Sequence, residues 1–293
     1  MLSQDEIAKA REQKIVKSNL MAREARYRLS LQAQRVLLYL ISKIQKDDSE
    51  FGKQEFSAVE FFEVAGIEPG GAEYKQIEGT LTELFNANGW ITLPNGMRTP
   101  LSWIERPFRD PISGKTWVKL DDVMRPFLLQ LRDNFTQYAL GYVMRFRSKF
   151  SIRMYEALSS YQYTERPIQK VYELDKLRDM LDVGNYTMYK NLKQRVLVPA
   201  VNEINEFSDK TISMKEIKTG RKVTSIEFTI STKQGAELEA VQAAAGLPRK
   251  RKPREKKETL STAPKMERND QDMLDAVRRL HDAMGKQIPN SGT

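Results

Sequence analysis

The chain has 293 residues, of which 40% are hydrophobic and 30% charged, enough for about two packed domains of roughly 100–200 residues each. Lys and Arg number 48 against 39 Asp and Glu, and this net +9 points to an anionic partner, either nucleic acid or an acidic membrane surface. Cysteine is absent and His281 is the single histidine, which excludes disulfides, thiol nucleophiles and zinc sites built from Cys and His.

No apolar run approaches the ~18 residues that span a bilayer, and residues 1–14 lack a signal-peptide core, so a cytoplasmic protein without membrane contact is expected. The first element is an amphipathic helix over 31–44. Leu37, Leu40, Ile41 and Ile44 follow helical spacing there, with Ser30 as N-cap. A short strand at Glu55 and Phe56 leads to Ser57, which caps a helix over 58–65, and Gly66 ends it. A third helix is expected over 73–88. Strands follow over 90–93 and 117–120, with a further one near 102–105. Asp121 and Asp122 read as a helix start.

The pattern then repeats. A helix over 151–161, a short strand at Val171 and Tyr172, a helix over 174–181 and a third helix over 186–207 come in the same order. Strands over 211–217 and 223–230 close the copy, joined by a turn at 218–222. Tyr74, Ile77, Leu81 and Leu84 step by three, four and three, as do Tyr189, Leu192, Val196 and Pro199. Two helices, a third and a hairpin make a winged helix-turn-helix. The expected fold is therefore α+β, with two tandem winged-helix domains over 14–133 and 134–233. A basic, largely disordered tail is expected over 234–293. It holds a basic run at 249–257 and a short amphipathic stretch at 273–284.

Charge separates the copies. Residues 134–233 carry 17 basic and 11 acidic side chains, while 14–133 carry 17 and 16. The first third helix bears Glu73, Glu78 and Glu83 against Lys75 and makes a poor groove reader. The second bears Lys190, Lys193 and Arg195 in its N-terminal half. With Leu192, Val196, Ala200 and Ile204 facing inward, Thr187, Lys190, Asn191, Gln194 and Arg195 fall largely on the outer face, with Lys193 near the boundary. Arg pairs with guanine O6 and N7, and Asn or Gln with adenine N6 and N7, so these five are the base-reading candidates. An ordinary solvated helix face is the alternative. Arg145, Arg147, Lys149, Arg153, Lys193 and the hairpin-tip cations Lys218, Arg221 and Lys222 are the phosphate-contact candidates, against an alternative role in salt bridges.

Catalysis finds no support. Gly114, Lys115 and Thr116 echo the end of a phosphate-binding loop, but Arg109 stands where the earlier glycine is required. No catalytic residue, metal or cofactor is expected.

The segments SKFSIRMYEALSSY at 148–161, KQRVLVPAVNEIN at 193–205 and GRKVTSIEF at 220–228 resemble the replication initiator (Rep) proteins of iteron-bearing plasmids. The resemblance spans about 14 to 233 and is more specific in its second half. It implies double-stranded DNA as partner: repeated origin sites bound by monomers, and the protein's own promoter repressed by dimers. It further implies origin opening, recruitment of host DnaA and DnaB, and a homodimer contact through the first domain. Trp103, Ile104, Trp117 and Val118 on the first wing are the dimer candidates, with core and wing packing as the alternative. Competing functions are a dedicated transcriptional repressor and a non-catalytic winged-helix module for protein or RNA.

Overall fold

The computed structural model describes residues 1–248, apart from 26–27, 87–89, 93–95, 101, 114, 163–165 and 185. The basic run at 249–257 and the stretch at 273–284 lie outside the described residues, as does Gly114. No helix among the described residues is long and apolar enough to cross a membrane.

The chain opens with α1 (Gln4–Glu12), β1 (Lys14–Ser18) and α2 (Asn19–Glu24). The first winged-helix unit follows as α3 (Leu31–Ser42), β2 (Gln54–Phe56), α4 (Ala58–Ala65) and α5 (Gly71–Phe85). Its strands are β3 (Trp90–Thr92), β4 (Arg98–Pro100), β5 (Phe108–Arg109) and β6 (Thr116–Val118). Local chemistry sets the helix ends. Ser30 accepts from Ala33 N and Ser57 from Glu60 N, and Gly66 terminates α4 at φ 67°, a left-handed conformation that glycine adopts without a Cβ penalty. Asp121 accepts from Val123 N and starts a 3-10 turn, Asp122–Met124, before α6 (Arg125–Leu128). The strand expected near 102–105 is only an isolated bridge from Ile104 to Leu120, and β5 supplies the third strand instead, in the order β2-β6-β5.

The second unit comprises β7 (Phe135–Ala139), α7 (Leu140–Met144), α8 (Lys149–Ser159), β8 (Ile168–Glu173) and α9 (Leu174–Leu181). A continuous helix then runs over 189–207, made of α10 (Tyr189–Leu192), a π-helical turn (Lys193–Leu197) and α11 (Val198–Phe207). The wing is β9 (Lys210–Thr219) and β10 (Lys222–Thr232), which form a sheet in the order β8-β10-β9. Alternation along β10 buries Ile226, Phe228 and Ile230 against the helices. Gly220, at φ 62°, turns the hairpin.

Two features depart from the sequence reading. β1, from the start of the chain, pairs antiparallel with β7, with Lys14 opposite Ala139 and Ser18 opposite Phe135. The segment after Gly235 also does not begin as a disordered tail: α12 (Gly235–Ala244) is a helix, and Val241 and Ala245 are buried against Ala139 and Tyr142. Alanine-rich sequence favours helix, and Gly141 allows the close approach. A Cβ on Gly141 would lie 2.8 Å from the backbone oxygen of Ala245. Gly141→Ala is accordingly expected to destabilise the protein by about 1–3 kcal/mol and to speed proteolysis around 235–247, read by urea unfolding and limited digestion.

Candidate nucleic-acid interface

The helix over 189–207 presents the expected face. Leu192, Val196, Ala200 and Ile204 are buried, while Thr187, Lys190, Asn191, Gln194 and Arg195 are all exposed. Pro199 explains the π turn. It lacks the N–H that would bond the Arg195 carbonyl, and its ring crowds that carbonyl in a regular helix, so the preceding turn widens. Gln194 and Arg195 sit on this widened turn. The far end of the helix is fastened to the wing. The Asn205 side chain exchanges hydrogen bonds with Ile212 N and O at 2.6 and 2.9 Å, and buried Lys233 donates to the carbonyls of Asn205 and Ser208.

The near end is fastened by Glu216 on β9, a residue the sequence reading passed over. Its carboxylate accepts from Lys193 Nζ and Tyr189 Oη, each at 2.7 Å. The hydrogen bond from Lys193, then that from Tyr189, holds Glu216 below the ordinary carboxylate range. Lys193 is thereby paired with Glu216 and forms part of the brace between helix and wing. Lys190, Arg195, Arg221 and Lys222 are exposed, and among the described residues none has an ion-pair partner. Lys218 is exposed at the same hairpin, with Glu216 at 3.8 Å. Lys149 lies 5.2 Å from the centre of the Phe150 ring, and that ring contacts Tyr186 just ahead of the helix. The result is one solvent-facing cationic surface made of the helix start and the wing tip.

Arg153 is removed from that surface. It is buried, with Nη1 3.0 Å from Glu156 and Nη2 2.9 Å from the Ala25 carbonyl, so no phosphate can reach it. Arg145 and Arg147 sit beside the Phe207 ring, at 4.6 and 5.8 Å, at the opposite end of the helix from Gln194 and Arg195. Three dimer candidates are corrected as well. Trp103, Ile104 and Val118 are core residues with at most 1% exposure, since the bridge from Ile104 to Leu120 folds them against the helices. Of the four, Trp117 alone reaches solvent.

The acids of α5 are each engaged. Glu73 accepts from Gly70 N, Glu78 pairs with Arg109, and Glu83 accepts from Ser30 N and Oγ. The helix therefore spends its negative charge on local structure.

Residues 14–159 match the family described as Initiator Replication protein, WH1, and residues 173–230 match Initiator Rep protein, WH2. A replication initiation protein of Escherichia coli is 29% identical over 130 residues, which cover 43% of this chain and 40% of that protein. The chain thus matches about two fifths of that relative's length. Among solved structures, the Pi initiator protein in complex with iteron DNA superposes with a TM-score of 0.62 at 20% identity, over 77% of this chain and 99% of that one. At that identity the likeness is one of fold.

Proposed function

Because this chain belongs to the initiator replication protein family, through both of its winged-helix parts, we propose that it starts plasmid replication by binding repeated sites at an origin. One observation carries the proposal. The start of the 189–207 helix presents base-reading side chains together with exposed cations that have no ion-pair partner among the described residues, and the wing tip extends the same surface. Iteron DNA is the partner of the Pi initiator protein, whose fold this chain shares, and we extend that ligand class to it. Thr187, Lys190, Asn191, Gln194 and Arg195 are assigned to base edges, and Lys149, Lys218, Arg221 and Lys222 to phosphates. Residues 14–133 and 134–233 act as the two DNA-facing units. The role is non-catalytic, since opening a duplex here draws on binding energy and DNA deformation. Recruitment of DnaA and DnaB, and repression of its own promoter by dimers, belong to the same proposal.

Footprinting of the DNA beside the gene tests it. Protection of direct repeats is the expected result, and equal affinity for an unrelated duplex of the same length overturns it. Lys222→Ala is expected to weaken all duplexes alike and to reduce the slope of log affinity against log salt by about 1, as measured by fluorescence anisotropy between low and moderate salt.

A further inference from the structure

A second cationic feature lies away from the reading surface. Arg11 of α1, Arg35 of α3, Arg145 and Arg147 line one cavity of about 370 Å³, walled on its apolar side by Met144 and Phe207. Phe207 is twelve positions beyond Arg195, about 18 Å along the helix. Each side chain is anchored without being neutralised. Arg11 donates from Nε to the Val64 carbonyl at 2.8 Å and from Nη2 to the Glu63 carbonyl at 3.3 Å, at the end of α4. Arg35 Nη2 donates to the Phe146 carbonyl at 2.6 Å. Arg145 and Arg147 flank the Phe207 ring.

Among the described residues, none of the four has an ion-pair partner. Two of their donors, Arg35 Nε and Arg145 Nη1, are buried with no acceptor at all. The nearest carboxylates are used elsewhere or stay in solvent: Glu203 accepts from the backbone N–H groups of Arg147 and Ser148, and Glu206 is exposed. Burial holds Arg11, Arg35 and Arg145 below the ordinary guanidinium value. Arg145 lowers Arg11 further, while Glu203 and Glu206 only partly offset the burial of Arg35 and Arg145.

Gathered like charges cost free energy, and an anion bound in the cavity they line relieves that cost. A carboxylate offers two oxygens in one plane. A phosphoryl group offers three or more in a tetrahedral array, which guanidinium forks arriving from several directions can share. We propose that this cavity is a phosphoryl-binding site formed by Arg11, Arg35, Arg145 and Arg147. The phosphoryl group comes from a DNA backbone or from a free phosphate ester. None of these four arginines belongs to the residues assigned to base edges.

The full-length protein tests it. Thermal unfolding is followed with sodium phosphate or ATP, against sodium acetate and sodium chloride at matched ionic strength, for the parent, Arg35→Gln and Arg147→Gln. Arg147 is exposed, so its variant folds even if Arg35→Gln does not. A midpoint raised by a few degrees by phosphate or ATP alone, and lost in Arg147→Gln, identifies a free ester. No such rise, together with a DNA salt slope reduced by about 1 in Arg147→Gln, identifies a backbone phosphate. Gln194→Ala keeps the thermal response to phosphate or ATP, which separates this site from the reading surface. If phosphate, ATP, acetate and chloride act alike and the salt slope is unchanged, or if the variants respond as the parent does, the proposal fails.

Discussion

Glu156→Ala is expected to cost about 3–5 kcal/mol of folding stability, because it removes the buried carboxylate that Lys17 and Arg153 share. Glu156 lies on α8 with no exposure. Lys17 Nζ on β1 reaches one carboxylate oxygen at 2.6 Å, Arg153 Nη1 reaches the other at 3.0 Å, and the Tyr138 hydroxyl on β7 donates to the first. Lys17 and Arg153 are themselves buried. Lys17→Met is the informative contrast. It removes one cation and leaves Arg153 and Glu156 paired, so its cost should be clearly smaller. Urea unfolding followed by circular dichroism measures both, and a Glu156→Ala midpoint equal to the parent's would refute the role given to the cluster.

The same group sets a pH dependence. Burial alone would push the Glu156 carboxyl up, but Lys17 and Arg153, with hydrogen bonds from Lys17 and Tyr138, bring it below its ordinary value. Lys17 is itself held below the usual ammonium value, chiefly by burial, which the charge and hydrogen bond of Glu156 only partly offset and to which Arg153 adds. A carboxyl with a depressed folded-state pKa contributes stability above its unfolded pKa and loses it as pH falls through the folded one. The parent should therefore lose stability as pH drops below about 4.5, and Glu156→Gln should lack that component.

The second large effect is on recognition. Arg195→Ala or Gln194→Ala should lower affinity for the cognate repeat by about 1–3 kcal/mol, roughly 5- to 150-fold, and flatten the preference at one base position. Both side chains are exposed on the π turn, so folding stability should stay within about 0.5 kcal/mol of the parent's. Competition assays with single-base variants of the repeat provide the measurement. Loss of affinity spread equally over all sequences would demote these residues to phosphate contacts.

Much of the fold and the reading face was legible in the residues. Ser57, Ala58–Ala65 and Gly66 form a capped helix because their rules act within one turn of chain. The long strands of the second wing follow from alternation, and the exposed set from Thr187 to Arg195 follows from which neighbours in the same helix are apolar. Pro199 was visible, yet the widened turn it produces depends on how the helix resolves the missing hydrogen bond.

What the sequence determined by itself, then, is the order of elements, the helix ends and the polarity of the reading face, each fixed by neighbours a few residues away. Tertiary structure alone decided which cations are free. Arg153 and Arg195 read alike in a string of letters, but one meets a carboxylate and a carbonyl brought from other elements and the other meets water. Trp103 and Trp117 divide in the same way between core and surface. The pairing of β1 with β7, the contact of Lys17 with Glu156 and the gathering of four arginines around Phe207 join residues tens to well over a hundred positions apart. Burial and charge compensation depend on distance in space, which the chain settles only once its layers have packed.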